Sequence, residues 1–223
     1  MCGRFAFYSP VEATAALFGA HNGIEVRPRY NVAPTQDLVA VRRSAEQVNE
    51  LALLRWGLVP FWAKDPSTGN RMINARAETV AEKPSFRNAY KQRRCLILAD
   101  GFYEWQRKAD AKIPWFISLA NGAPLGFAGL WENWADKETG ESLQTATIVT
   151  TEANEFMRTL HSRMPVVLEP EAGNRWLDGD MTMLADVARI IPPLRAWPVD
   201  RRVNSARNEG SELVRPVGET ITS

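Results

Sequence analysis

Residues 95–105 read CLILADGFYEW and form one of the most apolar runs in the chain. Apolar runs of this kind, bounded by turn residues, predict β-strands. Asp100, Gly101 and Glu104 interrupt the run, so two carboxylates occur inside a segment that otherwise belongs in a core. The stretch therefore predicts buried sheet and marks polar positions that require an explanation.

Further apolar runs lie on both sides of this stretch. They are DLVAVR (37–42), ELALLRWGL (50–58), PWFISL (114–119), LGFAGLWENW (125–134), TATIVTT (145–151) and MPVVL (164–168). Helices are predicted at about 10–19, at 78–93 with a break at Pro84, and at 152–160, 170–178 and 181–189. Strands outnumber helices and do not alternate regularly with them, which disfavours a doubly wound parallel sheet. We predict an α+β fold, a mostly antiparallel, partly barrel-like β-sheet with peripheral helices.

The composition is that of an ordinary globular protein, with 223 residues, 45% hydrophobic and 24% charged. We expect a single domain over 1–223 with a flexible tail after about 217. Two cysteines (Cys2, Cys95) and two histidines (His21, His161) form no short-spaced metal pattern, so no structural metal, cofactor or disulfide framework is expected. No signal peptide or membrane span is recognisable, which predicts a cytoplasmic protein without a membrane partner, by default a monomer.

The net charge of +1 gives no global argument for binding nucleic acid. Charge is unevenly spread, however, because residues 71–94 carry seven basic side chains against two acidic ones. Such a window is equally typical of a solvated helix face and of a phosphate-binding surface.

Cys2 directly follows the initiator methionine. Initiator methionine is generally trimmed when the next side chain is small, so the mature chain would begin at Cys2 with a free α-amine beside its thiol. Two nucleophiles would then share one residue. A small buried residue or a frayed end is the alternative interpretation.

Several polar side chains lie where chemistry or plain structure could explain them. Asn74, Arg76 and Glu78 alternate in INARAET, so on a strand they would share one face, which could also be an exposed edge. Glu104 precedes Trp105 in an apolar run, where desolvation would raise the pKa of its carboxyl toward general-acid use; a strand end in solvent is the alternative.

His161 stands where a predicted helix ends and a strand begins, a position that suits either a helix cap or a catalytic residue on a rigid scaffold. Residues 55–64 read RWGLVPFWAK. Trp62, in a predicted loop, is the candidate for stacking on an unpaired base, whereas Trp56 and Phe61 are predicted to lie in the core.

Taken together, these segments resemble the SRAP family, the SOS response-associated peptidases, whose members shield abasic sites. The resemblance rests on MCGRF (1–5), RYNVAPTQ (29–36), RWGLVPFWAK (55–64), INARAET (73–79), CLILADGFYEW (95–105), LHSRMPVVL (160–168) and VNSARNEGSELVRPV (203–217). These motifs span nearly the whole chain in family order. One departure is Ala63, which follows Trp62 where members often have a second bulky aromatic residue.

The resemblance implies a positively charged groove for single-stranded DNA and covalent attachment of the mature Cys2 to abasic sites. It implies Cys2 as nucleophile, with Asn74, Glu104 and His161 as catalytic neighbours. The DNA-binding residues that it implies are Arg4, Asn31, Trp62, Arg76 and Trp105. The expected product is a thiazolidine, which forms when the amine and then the thiol of one cysteine add to the aldehyde of the opened sugar.

Two other functions are compatible with parts of the sequence. An N-terminal nucleophile hydrolase or peptidase, including one that removes its own leader, would use the amine of Cys2 as general base for its thiol. A non-catalytic module for single-stranded nucleic acid would use only the aromatic loop and the basic window.

Overall fold

The computed structural model of the chain describes residues 2–21, 23–109, 111–180, 182–185 and 191–223. The strands are β1 (Phe5–Phe7), β2 (Arg29–Val32), β3 (Asp37–Arg43), β4 (Asn49–Trp56), β5 (Asn74–Arg76), β6 (Arg94–Ala99), β7 (Gly101–Lys108), β8 (Ala111–Leu119), β9 (Leu125–Ala135), β10 (Ser142–Glu152), β11 (Arg163–Pro165), β12 (Val167–Leu168), β13 (Leu194–Pro198) and β14 (Ile221–Thr222). The helices are α1 (Val11–Leu17), α2 (Arg87–Gln92), α3 (Glu155–Arg158) and α4 (Pro170–Leu177), with 3-10 turns at Pro66–Arg71, Arg201–Asn204 and Ser211–Val214.

Five strands close into a barrel in the order β10-β4-β3-β6-β9, because β9 pairs with both β6 and β10. All of these pairings are antiparallel except β4 with β10, which is parallel. The short strand β5 pairs in parallel with residues 148–150 of β10. The predicted α+β class, with mostly antiparallel and partly barrel-like sheet, is confirmed.

The second sheet is antiparallel and has the order β14-β13-β8-β7-β1-β2. The stretch 95–105 crosses between the sheets, since β6 belongs to the barrel and β7 to the second sheet. Asp100 lies at the crossing, where its carboxylate accepts hydrogen bonds of 2.6 and 2.8 Å from the backbone N–H groups of Tyr8 and Ser9. This buried carboxylate therefore fastens the chain between the two sheets.

The N-terminal strand is anchored in the core by aromatic packing. The ring of Phe5 lies 5.3 Å from that of Trp56 and 5.8 Å from that of Phe127, measured between centroids. Burial of one such ring stabilises the fold by about 1.5–3 kcal/mol. Trp56 is fully buried, as predicted. The anchored strand fixes the position of Cys2, three residues before Phe5.

The predicted helices are shorter than expected. Helices α1 and α4 lie within the predicted ranges 10–19 and 170–178, but the range 78–93 retains only α2 and 152–160 only α3. Turns occupy most of 77–86, and Asn154 caps α3 by accepting a hydrogen bond from the backbone of Met157. The helix predicted at 181–189 falls mostly outside the described residues. No helix in the described part of the chain is long and apolar enough to cross a membrane.

Two of the cations in the basic window at 71–94 are engaged within the fold. Arg94 is buried, with its guanidinium 4.6 Å from the ring of Tyr90 and 4.5 Å from that of Trp176. Arg93 forms an ion pair of 2.8 Å with Glu132. These cations stabilise the fold, so the net charge of the window overstates what is available to a ligand.

Candidate active site

Cys2 lies in the seam between the two sheets. Strand β1 pairs with β7 in the register Phe5 opposite Phe102, and the backbone N–H of Tyr103 donates to the carbonyl oxygen of Arg4 at 2.9 Å. This register brings the residues before Phe5 alongside the residues after Phe102, among them Glu104. Cys2 is fully buried, and burial, followed by the field of Glu104, raises the pKa of its thiol.

Asn74 holds the same segment from the barrel side. Its Nδ2 donates a hydrogen bond of 2.8 Å to the carbonyl oxygen of Cys2. Its Oδ1 is shielded from solvent and has no hydrogen-bond partner among the described residues. Arg76, two residues further along β5, is exposed at the rim. The predicted strand alternation ends there, because Glu78 lies in a turn after β5.

Glu104 is 3% exposed on β7. Burial raises the pKa of its carboxyl, and the neighbouring His161 acts in the opposite direction. The two side chains approach to 4.0 Å between Nε2 of His161 and Oε2 of Glu104. The expected desolvation of Glu104 is therefore present, and the carboxyl holds its proton at higher pH than an exposed glutamate does.

His161 lies between α3 and β11, the predicted junction of a helix and a strand. Its Nδ1 lies 3.0 Å from the backbone nitrogen of Arg163 and 3.1 Å from the carbonyl oxygen of the same residue. The backbone of Arg163 can thus donate a hydrogen bond to Nδ1 or accept one from it. Because either tautomer finds a partner there, Nε2 is directed toward Glu104 whether or not it carries the proton.

Arg163 is a site residue that the sequence reasoning missed. Its guanidinium donates to both carboxylate oxygens of Glu78, at 2.6 and 3.0 Å, and to the carbonyl oxygen of Thr150 at 2.8 Å. Although burial works to raise the pKa of Glu78, the bonds from Arg163 lower it overall. The bidentate pair fixes the loop that carries His161. An arginine at the entrance to the apolar run MPVVL was the available signal.

Arg4, Asn31 and Trp105 form a brace beside the seam. Arg4 donates to Oδ1 of Asn31 at 2.7 Å and to the carbonyl oxygen of Val203 at 2.8 Å, and its guanidinium lies 6.0 Å from the ring of Trp105. Asn31 is fully buried and also donates to the carbonyl oxygen of Asn208 at 2.8 Å. Asn31 thereby fixes the position of the Arg4 guanidinium.

A cavity of about 370 Å³ opens over the site and is lined by Glu104, Trp105, Arg107, Lys112, His161 and Asn204. The indole of Trp105 is fixed by a hydrogen bond of 2.7 Å from Nε1 to Oδ1 of Asn204. A separate cavity of about 490 Å³ at the end of the barrel has arginines that are already paired, Arg42 with Glu50 and Arg43 with Asp178. The smaller cavity contains the carboxyl group of Glu104 and the imidazole of His161.

The aromatic loop after β4 is held by the indole of Trp134, whose Nε1 donates to the carbonyl oxygen of Ala63 at 2.7 Å. Trp62 is 50% exposed and Phe61 is 52% exposed. The prediction that Phe61 lies in the core is wrong, because the chain turns away from the barrel after Pro60. Two neighbouring rings therefore face solvent despite the small side chain of Ala63.

Within the described residues, no group of three or more histidine, cysteine, aspartate and glutamate side chains is arranged to hold a metal ion. The chemistry available at the site is that of a thiol, a carboxyl group, an imidazole and an amide.

Comparison with known proteins identifies the family. The sequence profile described as SOS response associated peptidase (SRAP) matches residues 1–206. Abasic site processing protein YoaM of Bacillus subtilis is 43% identical over 223 residues, which cover 96% of this chain and 97% of the relative. Abasic site processing protein YedK of Escherichia coli is 33% identical over 229 residues, 97% of this chain and 100% of the relative.

A crystal structure of a protein from Bacteroides thetaiotaomicron shares the fold, with a TM-score of 0.84 and 26% identity over 97% of this chain and 100% of that one. The chain therefore belongs to the SRAP family.

Proposed function

We propose that this protein processes abasic sites in single-stranded DNA by capturing the damaged sugar covalently on Cys2. The names of the relatives, abasic site processing proteins, support the substrate. The observation that carries the proposal is the meeting of Cys2, Asn74 and Glu104 in one seam, with His161 at 4.0 Å from Glu104. These residues are distant in sequence and come together only in the fold.

The first bond forms between the amine of Cys2 and the aldehyde carbon, C1′, of the opened deoxyribose. Removal of Met1 frees this amine, whose ordinary pKa of about 7.7–8.0 leaves part of it neutral at physiological pH. The open Oδ1 of Asn74 would accept a hydrogen bond from the amine while Nδ2 holds the Cys2 carbonyl. The resulting carbinolamine loses its hydroxyl as water when the Glu104 carboxyl protonates it, which leaves an iminium and a carboxylate.

The second bond forms between the sulfur and the same carbon. The Cys2 thiol adds to the iminium, and its proton returns to the Glu104 carboxylate, so a neutral thiazolidine forms and one water is lost overall. Burial, which raises the thiol pKa, keeps the sulfur protonated until this step. The closure is intramolecular and is therefore strongly favoured over release of the aldehyde.

Opening of the closed sugar also needs proton transfer, because the ring oxygen gains a proton while the C1′ hydroxyl loses one. Glu104 and His161 are the pair that we assign to this exchange. The backbone of Arg163 supports the assignment, since it can accommodate His161 Nδ1 as donor or as acceptor. Proton transfer of this kind contributes about 10²–10⁴-fold to a rate.

DNA would be held without sequence readout. The exposed Arg76 would bind a phosphate, and Trp62 would stack on an unpaired base. Arg4, Asn31 and Trp105, which the family resemblance implies as DNA contacts, would act mainly by shaping this surface, because each side chain already donates to a protein acceptor.

The N-terminal nucleophile hydrolase is the rival chemistry. Enzymes of that type activate the nucleophilic thiol, and activation usually lowers its pKa. Burial raises the pKa of the Cys2 thiol instead, which favours attack by the amine before the sulfur.

Intact-mass measurement after incubation with an abasic oligonucleotide tests the proposal. The expected product has the mass of the chain without Met1 plus the oligonucleotide minus one water. Cys2→Ser should give no stable product but an imine that borohydride traps, whereas Cys95→Ala, which removes the other buried thiol, should react like wild type. A stable adduct with Cys2→Ser, or none with wild type, would reject the proposal.

A further inference from the structure

Two cations in the site cavity have no role in the chemistry above. Arg107 on β7 and Lys112 on β8 lie directly opposite each other in the antiparallel register. Both are exposed, and both line the cavity that contains Glu104 and His161. Neither forms an ion pair or a side-chain hydrogen bond with any residue that the structure describes.

Two other arginines beside the site are already engaged. Arg163 is paired with Glu78, and Arg4 donates to Asn31 and Val203. Like charges directly opposite on neighbouring strands destabilise a hairpin, so the facing Arg107 and Lys112 carry a small cost in the free protein. An anion bound between the two side chains would remove that cost and would gain charge-assisted hydrogen bonds.

We propose that Arg107 and Lys112 bind backbone phosphates of the DNA strand on one flank of the abasic site, opposite the flank held by Arg76. This inference rests on the proposed function, because it takes single-stranded DNA as the ligand. Arg76 lies on β5 beside the barrel strand β10, whereas Arg107 and Lys112 lie in the second sheet. Cys2, in the seam between β5 and β7, therefore has a cationic position on each side.

The spacing along β7 suits this arrangement. Arg107 is three residues beyond Glu104, about 10 Å along an extended strand. That distance places the cation at a phosphate next to the lesion and not at the reacting sugar. Trp105, whose indole is fixed by Asn204, lines the same cavity as Glu104 and Arg107.

The test is the salt dependence of binding, measured by fluorescence anisotropy with an undamaged single-stranded oligonucleotide. Arg107→Gln/Lys112→Gln should weaken binding and reduce the slope of log Kd against log salt by about 1.4, which corresponds to two lost phosphate contacts. Lys108→Gln, the matched control, removes an exposed cation that neighbours Arg107 in sequence but does not line the cavity. It should leave the slope close to that of wild type.

A methylphosphonate scan then locates the contact. Neutralising single phosphates on one flank should weaken binding of wild type and of Arg76→Gln but not of the double variant. Neutralising phosphates on the other flank should affect the double variant but not Arg76→Gln.

A wild-type salt slope in the double variant, or identical methylphosphonate profiles for all proteins, would overturn the inference. Failure of the proposed function gives a different result. Wild type would then form no adduct, while the salt slopes of wild type and the double variant would still differ. If wild type binds no single-stranded DNA, both proposals fall.

Discussion

Glu104 and Glu132 are glutamates of equal burial, each 3% exposed, yet their surroundings differ. Glu132, on barrel strand β9, receives a hydrogen bond of 2.8 Å from the guanidinium of Arg93 and one of 3.0 Å from the backbone of Asn133. Glu104 lies 4.0 Å from the imidazole of His161, and burial raises the pKa of the Glu104 carboxyl.

The contrast teaches that burial alone does not make a carboxylate functional. A permanent cation at hydrogen-bond distance, Arg93, pairs with Glu132 and makes it a structural link between β9 and the chain that enters β6. Glu104 instead lies beside an imidazole, a group that can donate or accept a proton. The second arrangement lets a proton move between the two groups and a substrate, which is what the proposed chemistry requires.

The largest expected effect is the loss of proton transfer in Glu104→Gln. The amide keeps the size of the side chain but cannot give or take the proton, so the rate of adduct formation should fall by about 10²–10⁴-fold. Single-turnover gel assays with saturating abasic oligonucleotide measure this rate. A rate within about threefold of wild type, a difference of about 0.6 kcal/mol in the activation free energy, would show that Glu104 takes no part in the mechanism.

A smaller effect on the rate of adduct formation is expected for Asn74→Ala, and Asn49→Ala is the matched control. Both asparagines donate from Nδ2 to a backbone carbonyl, Asn74 to Cys2 at 2.8 Å and Asn49 to Phe18 at 2.6 Å. Losing the first should slow adduct formation by about 10–100-fold, equivalent to a buried hydrogen bond of about 1–3 kcal/mol. Losing the second should affect stability alone. Equal rates for the two variants would contradict a role for Asn74 in orienting Cys2.

Glu132→Gln should separate structure from function in the opposite direction. The loss of the charged partner of Arg93 should lower the free energy of unfolding by about 1–3 kcal/mol. Urea denaturation measures this change. Adduct formation at a temperature where the variant remains folded should match wild type, and a large loss of rate would show that the two glutamates are not independent.

The smallest effect concerns stability and pH. Because folding raises the pKa of Glu104, the folded chain holds this proton more tightly than the unfolded chain does. The resulting stability is complete below the unfolded pKa of about 4.3 and is lost as pH rises through the folded value. Glu104→Gln, neutral at every pH, should therefore melt at a higher temperature than wild type at neutral pH. This gain in melting temperature should vanish toward pH 4. A variant that melts below wild type at every pH would contradict the prediction.

Local sequence patterns predicted many of the strands, but they did not predict which strands pair to close the barrel. The run at 95–105 predicts strand, and its interruptions mark the crossing at Asp100 and the buried carboxyl of Glu104. Closure of the barrel depends on the parallel pairing of β4 with β10, in which Thr145 lies opposite Arg55. A contact between residues so far apart leaves no trace in local hydrophobic periodicity.

The site shows the same limit. Spacing alone could not unite Cys2, Asn74, Glu104 and His161; only the family resemblance did, and the register of β1 on β7 supplies the physical reason. Arg163 was missed because its partner, Glu78, is 85 positions away. The charge of the basic window could not decide between its two interpretations for a related reason, since aromatic rings can bury a cation such as Arg94 without any signal in the local charge.

The central claim is that a free aminothiol at the processed start of the chain captures the sugar. The most direct measurement compares two forms of one preparation, a chain extended before Cys2 by a cleavable peptide and the same chain after cleavage exposes Cys2. The extension acylates the amine but leaves the thiol and Glu104 in place. The extended form should show no mass increase with abasic oligonucleotide, and the cleaved form should show complete conversion; an equally stable adduct on the extended form would contradict the account.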